Sequence, residues 1–137
     1  MGYIERQKIY KSIVSIRKKP LIAYVTSIRP NLSGHMAGDA ISPIIEQINK
    51  IPKSYKEVDF LIISNGGDPI TSLRIIGLLR ERFEKITVLL PYVAYSAATI
   101  LALGATYYAS IFQFGTCRPS TDRIKTKWSR TTRKFAI

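Results

Sequence analysis

Two short segments of this 137-residue chain carry residue types that can do chemistry. The first is Asn65-Gly66-Gly67-Asp68-Pro69. Paired glycines let backbone amides approach a ligand closely or adopt positive φ. Successive N–H groups leading into a helix form an anion pocket, which suits a phosphate or the oxyanion of an acyl-transfer intermediate. A tight strand-to-helix turn uses the same residues with no ligand at all. The second segment is Tyr95-Ser96-Ala97-Ala98-Thr99. A serine that opens a helix of very small residues presents its Oγ at the helix N-terminus, with the following N–H facing a developing oxyanion. Capping by serine is much commoner than catalysis, so taken alone Ser96 is a helix N-cap.

Both segments must be positioned by the elements before them. VDFLIIS (58–64) and ITVLLPY (86–92) are continuous apolar runs, the pattern of strands buried on both faces. Each delivers one of the two segments at its carboxyl end, where α/β folds place their sites. Between them a helix is predicted from about Ile70 to Phe83, with Ile75, Ile76, Leu79 and Phe83 on its core face. Upstream, residues 3–17 read as a basic amphipathic helix and LIAYVTS (21–27) as a strand. A loop follows over 29–39. The next helix carries Ile41, Ile44, Ile45 and Ile48 at helical spacing, with Asp39 or Ser42 as its cap, and Ile51-Pro52 closes it. A helix over 96–105 and a strand over 106–112 complete the alternation. That alternation predicts an α/β fold with a largely parallel sheet.

A glycine-pair loop after one strand, a helix, a second strand and then a small-residue serine helix is the layout of the Clp-peptidase and crotonase-like fold. The segment LIISNGGDPITSLRIIGLLRERFEKITVLLPYVAYSAATILALGA (61–105) resembles the serine dehydrogenase proteinase family of Clp-class peptidases, relatives of signal peptide peptidase A. The family's Gly-Gly loop corresponds to Gly66-Gly67 and its Leu-Arg helix end to Leu79-Arg80. Its strand-ending proline corresponds to Pro91, and its Ser-Ala-Gly-Thr-like motif to Ser96-Ala97-Ala98-Thr99. The resemblance covers roughly residues 20–105 and is looser from Leu21 to Ile51.

It implies an α/β spiral of ββα units with a mostly parallel sheet, incomplete at the C-terminus. Ser96 would be the acyl-accepting nucleophile of a serine-type endopeptidase. The loop Gly66-Gly67 would form the oxyanion hole, through the amides of Gly67 and Ala97, and Thr99 would support the serine helix. The substrate would be a peptide or protein, with no cofactor and no metal, and a full-length version would be a homo-oligomer. Three features depart from the pattern: Asn65 replaces a proline, Ala98 replaces a glycine, and no general base is evident. A serine hydroxyl needs such a base near neutral pH. The one histidine, His35, lies far upstream, and Lys125, Lys127 and Lys134 lie in a polar tail, so no base is assigned. The expected activity is therefore impaired or absent in this form.

The formal charge of +12 divides unevenly. Residues 1–106 hold 14 Lys/Arg against 8 Asp/Glu, whereas residues 107–137 hold 7 Lys/Arg against Asp122 alone. The chain thus reads as an N-terminal basic helix (1–19), a partial peptidase core (20–106) and a basic tail (107–137). Where the family continues Tyr-Ser-x-Leu-Gly-Pro-x-Asp-Pro-Gln, this chain has Ile111-Phe112-Gln113-Phe114-Gly115-Thr116-Cys117-Arg118-Pro119-Ser120. Read from the second base of each codon, the genetic code allows that string to become Tyr-Ser-Asn-Leu-Gly-Pro-Val-Asp-Pro-Gln. The tail accordingly reads as out of frame, with the shift around Gly104 to Ile111, the alternative being a native, disordered basic extension.

A single cysteine, Cys117, excludes an internal disulfide and a multi-cysteine metal site. No apolar stretch is long enough to span a bilayer, and the charged N-terminus lacks the apolar region of a signal peptide, so a cytoplasmic location is expected. Two other functions are weighed. Acyl-CoA chemistry of the crotonase type shares the oxyanion hole and needs no serine nucleophile. A nucleic-acid-binding module would use the basic helix and tail, but no aromatic residues interleave with the basic ones in a recognisable motif, which ranks it last.

Overall fold

The computed structural model describes residues 2–110. The basic segment 111–137, including Cys117, Trp128 and the proposed out-of-frame string, lies outside the described residues. The order of elements is α1 (Tyr3–Arg17), β1 (Leu21–Val25), a 3-10 turn (Gly38–Ala40), α2 (Ile41–Asn49), β2 (Glu57–Ile63), α3 (Pro69–Arg82), β3 (Lys85–Leu90), α4 (Ala97–Leu103) and β4 (Tyr107–Ser110). The fold is α/β: the four strands form one sheet in the order β1-β2-β3-β4, and every neighbouring pair is parallel.

Alternation along the strands sorts the sheet into two faces. Ile22, Val58, Phe60, Ile62, Ile86, Val88 and Leu90 join one buried cluster with residues of α2, α3 and α4. The predicted core face of α3 is confirmed, since Ile75, Ile76, Leu79 and Phe83 are all buried. In α2, Ile44 and Ile48 are buried but Ile45 is 37% exposed, so the apolar stripe is narrower than the sequence spacing predicts. The expected cap of α2 is also corrected: the chain enters through the 3-10 turn, Ala40 takes the cap position, and no side chain accepts a capping bond. An overlapping turn has already supplied helical geometry there.

Helix α1 lies against the opposite face, beside β1. It forms as its sequence predicts, but none of its residues is buried, and Ile4 and Ile16 stand 69% and 67% exposed. Its anchor is ionic. Arg17 in its last turn makes a two-pronged pair with Asp59, a buried carboxylate in the middle of β2. Just past the helix, Lys19 pairs with Glu57, which Lys85 also reaches. Hydrogen bonds from Lys19 and then Lys85 hold the Glu57 carboxyl well down, at a pKa of about 2.

Candidate functional site

The site is built where β2 and β3 end side by side. Because the two strands are parallel neighbours, the loops that leave them emerge at the same sheet edge. The pairing continues past the strands: Ser64 and Ala94 form an isolated parallel bridge, with the Ser64 amide donating to the Val93 carbonyl (3.1 Å) and the Tyr95 amide to the Ser64 carbonyl (3.0 Å). This brings the glycine loop onto the serine turn.

Gly66 has φ +93°. A Cβ there would lie 2.7 Å from the Ser96 Cβ and 3.0 Å from the Ala97 nitrogen, so only glycine allows the approach. Gly67, at φ +149°, faces the other way, and a Cβ would collide with the Met36 backbone. There the loop after β1 is stitched in. The Met36 amide donates to the Gly66 carbonyl (2.7 Å) and the Asp68 amide to the Met36 carbonyl (2.8 Å). The glycine loop is therefore pinned between two segments, one carrying Met36 and one carrying Ser96. His35 precedes Met36 and is exposed, so the fold carries the chain's one histidine to the glycine loop from a distance of some thirty residues in sequence.

Ser96 departs from the N-cap expectation. Its side chain makes no capping hydrogen bond, and its backbone sits at φ 51°, ψ −123°. An L-residue held outside the populated regions costs about 1–3 kcal/mol and needs surroundings that enforce it. Here the enforcement is local. The Ala98 amide donates to Tyr95 (3.0 Å), the amides of Thr99 and Ile100 donate to Ser96 (2.9 and 3.2 Å), and the buried Thr99 hydroxyl donates to the Ala94 carbonyl (2.6 Å). Ser96 itself is exposed, while Ala97, Ala98 and Thr99 behind it are buried. Alanine in place of the expected glycine at 98 packs without residual exposure. Among the described residues, neither the Gly67 amide nor the Ala97 amide donates a hydrogen bond.

Ser64 and Met36 matter here and were not singled out from the sequence, and Asp68 was read there only as part of the glycine loop. Ser64, fully buried, accepts from the Gly66 amide (3.1 Å) and from the Thr26 hydroxyl (3.0 Å), tying the glycine loop to β1. Met36 supplies the backbone on the far side of the loop. Asp68 caps α3, accepting from the amides of Ile70 and Thr71 (both 3.0 Å) and from the Thr71 hydroxyl (2.6 Å). The Thr71 hydroxyl bond, followed by the Ile70 amide, holds the Asp68 carboxyl below its ordinary range. The capping position immediately before a proline was a readable signal for Asp68; Ser64 and Met36 had none, since their roles depend on contacts remote in sequence. Among the described residues no cluster of three or more His, Cys, Asp or Glu stands ready to hold a metal ion, and no helix is long and apolar enough to cross a membrane.

No family model matches this chain, and no curated protein matches it. Among solved structures it is similar to a peptidase from Plasmodium falciparum, at 15% identity and a TM-score of 0.50, over 90% of this chain and 76% of that one. At that identity the likeness shows that the two chains share a fold.

Proposed function

We propose that this chain carries the acyl-transfer site of a Clp-class serine peptidase on a Clp/crotonase-like spiral, with Ser96 as nucleophile. One observation carries the reading: an exposed serine in an enforced, rarely populated conformation, not used as a cap, directly against a glycine whose missing Cβ allows the contact. Nucleophile turns of acyl-transfer enzymes have this character, because the strain aims Oγ outward from a strand-to-helix corner. The resemblance of residues 61–105 to the serine dehydrogenase proteinase family and the fold shared with a solved peptidase support the same class.

In the reaction the Ser96 Oγ bonds to the scissile carbonyl carbon, the carbonyl oxygen becomes an oxyanion, and the amides of Gly67 and Ala97 stabilise it. As the carbon–nitrogen bond breaks, the proton lost by the hydroxyl goes to the departing amine, and water later releases the acyl group from Ser96. No residue is assigned to carry that proton. An oxyanion hole and binding alone still give roughly 10³–10⁴-fold acceleration over water, so slow acylation is expected. The test is labelling of the purified chain with a fluorophosphonate probe. The reading expects slow labelling at Ser96 that Ser96→Ala abolishes. Equal labelling of both proteins, or none of a folded sample, overturns it. A thioester reaction indifferent to Ser96→Ala would favour acyl-CoA chemistry instead.

A further inference from the structure

We propose that the groove between α1 and β1 binds an extended acidic peptide, which adds to β1 as a further strand. This inference is independent of the chemistry at Ser96. The groove has a volume of about 720 Å³, within the range of ligand sites. Arg6, Tyr10, Lys11 and Val14 of α1 form one wall, and Ala23 and Val25 of β1 the other.

β1 is an edge strand of the sheet. The Pro20 carbonyl and the Thr26 amide point inward to β2, so by alternation the peptide groups of Leu21, Ala23 and Val25 point outward. Among the described residues only the middle one is satisfied, and by an unusual partner. The Ala23 amide donates to the Gln47 Oε1 (3.1 Å), and the Gln47 Nε2 donates to the Ala23 carbonyl (3.5 Å). A side-chain carboxamide thus makes the pair of bonds that a residue of an adjoining strand makes. It occupies one peptide position of an edge that offers three, and its second bond is long. A peptide strand laid along β1 replaces both bonds and adds those to Leu21 and Val25, the arrangement of β-strand addition.

Charge selects the partner. Among the described residues Arg6 and Lys11 form no ion pair with any carboxylate, so the groove wall presents two uncompensated cations. A second copy would bring a net charge of +12 against the same sign. An acidic segment with small apolar residues at alternate positions meets both the cations and the apolar floor of Val14, Ala23 and Val25.

The test is fluorescence anisotropy of the full chain with a fluorescein-labelled eight-residue peptide of alternating Glu and Val, at low salt. We expect saturable binding that weakens with added salt, against none for the alternating Lys and Val peptide. The double variant Arg6→Glu/Lys11→Glu should bind the acidic peptide at least about tenfold more weakly. Ala23→Pro removes the outward N–H without touching the β1–β2 ladder and should abolish binding. In case that variant does not fold, the acidic peptide N-methylated at every amide should fail to bind the wild-type chain. Gln47→Ala should bind more tightly, by a few-fold, because the edge is freed. Equal affinity for the N-methylated peptide, equal affinity for the Lys and Val peptide, or displacement by a single-stranded oligonucleotide but not by unlabelled acidic peptide overturns the proposal. A self-associated wild-type chain that Ala23→Pro renders monomeric overturns it too, assigning the edge to a second copy.

Discussion

The turn at Ser96 is fixed by backbone hydrogen bonds among Ser64, Val93, Tyr95 and Ala98, by the Thr99 hydroxyl on the Ala94 carbonyl and by the absence of a side chain at Gly66, whereas α1 buries none of its residues and is tied down by charge through Arg17. The first region is held by shape, with close-packed backbone that tolerates no added atom. The second is held by an ion pair with one partner in the core and one near solvent, and the remainder of the helix is free to answer to other partners. Rigidity is thus concentrated where strain must be maintained, and the loosely docked element is the one beside the open groove.

The comparison breaks most sharply at Gly66. Gly66→Ala places a Cβ against Ser96 and imposes an L-residue on φ +93°, which should cost about 2–5 kcal/mol. A urea midpoint measures this, and labelling at Ser96 should vanish while amide exchange across α1 is unchanged. If the variant keeps both stability and labelling, the shape argument for the site fails.

Arg17→Ala tests the other region. It leaves Asp59, 1% exposed, without its cation, and breaking such a pair costs about 3–5 kcal/mol when fully buried. With Arg17 itself a quarter exposed, the expected loss is at or below the lower end of that range, about 2–3 kcal/mol. Hydrogen exchange should show α1 losing protection throughout while the turn around Ser96 keeps its own. Equal loss at both sites would mean that the two regions are one cooperative unit.

The smallest effect sharpens the picture at the glycine loop. Asp68→Ala removes the α3 cap and should lower the thermal unfolding midpoint by the smallest amount of the three. Because the Asp68 pKa is lowered from 3.8 in the folded chain, the stability it contributes is fully present above that value and is lost as pH falls through the depressed folded value. The gap between wild type and variant in thermal unfolding should therefore close below about pH 3.8. A gap that stays constant into acid would place the benefit elsewhere than the carboxylate.

What the sequence disclosed follows from what is local. The apolar runs at 58–64 and 86–92 gave β2 and β3 to within two residues at either end, because a strand buried on both faces leaves a continuous signal. The α3 face was legible from its period. The α1 face was not, since Tyr3, Ile4, Ile9 and Ile16 have apolar side chains but no surface among the described residues covers them. Periodicity reports which side of a helix is apolar, not whether anything lies opposite. At the site, the two loops were readable as separate segments. Their contact was not, because Gly66 and Ser96 are thirty residues apart and meet through the register of two strands. The unusual backbone of Ser96 has no compositional trace, and a serine before three small residues reads on its own as a cap.

The order β1-β2-β3-β4 has a consequence for how the chain is made. Leu21 pairs with Asp59, Glu57 with Lys85 and Thr87 with Tyr107, so the separation between partners falls from 38 to 28 to 20 residues along the chain. Each strand leaving the ribosome finds the previous one already synthesised and needs no later strand to be inserted between them. Domains fold from the N-terminus as synthesis proceeds at about 5–20 residues per second, so the sheet can grow in one direction at the pace of translation. At every stage one fresh edge is open, and the next strand to arrive is the one that closes it.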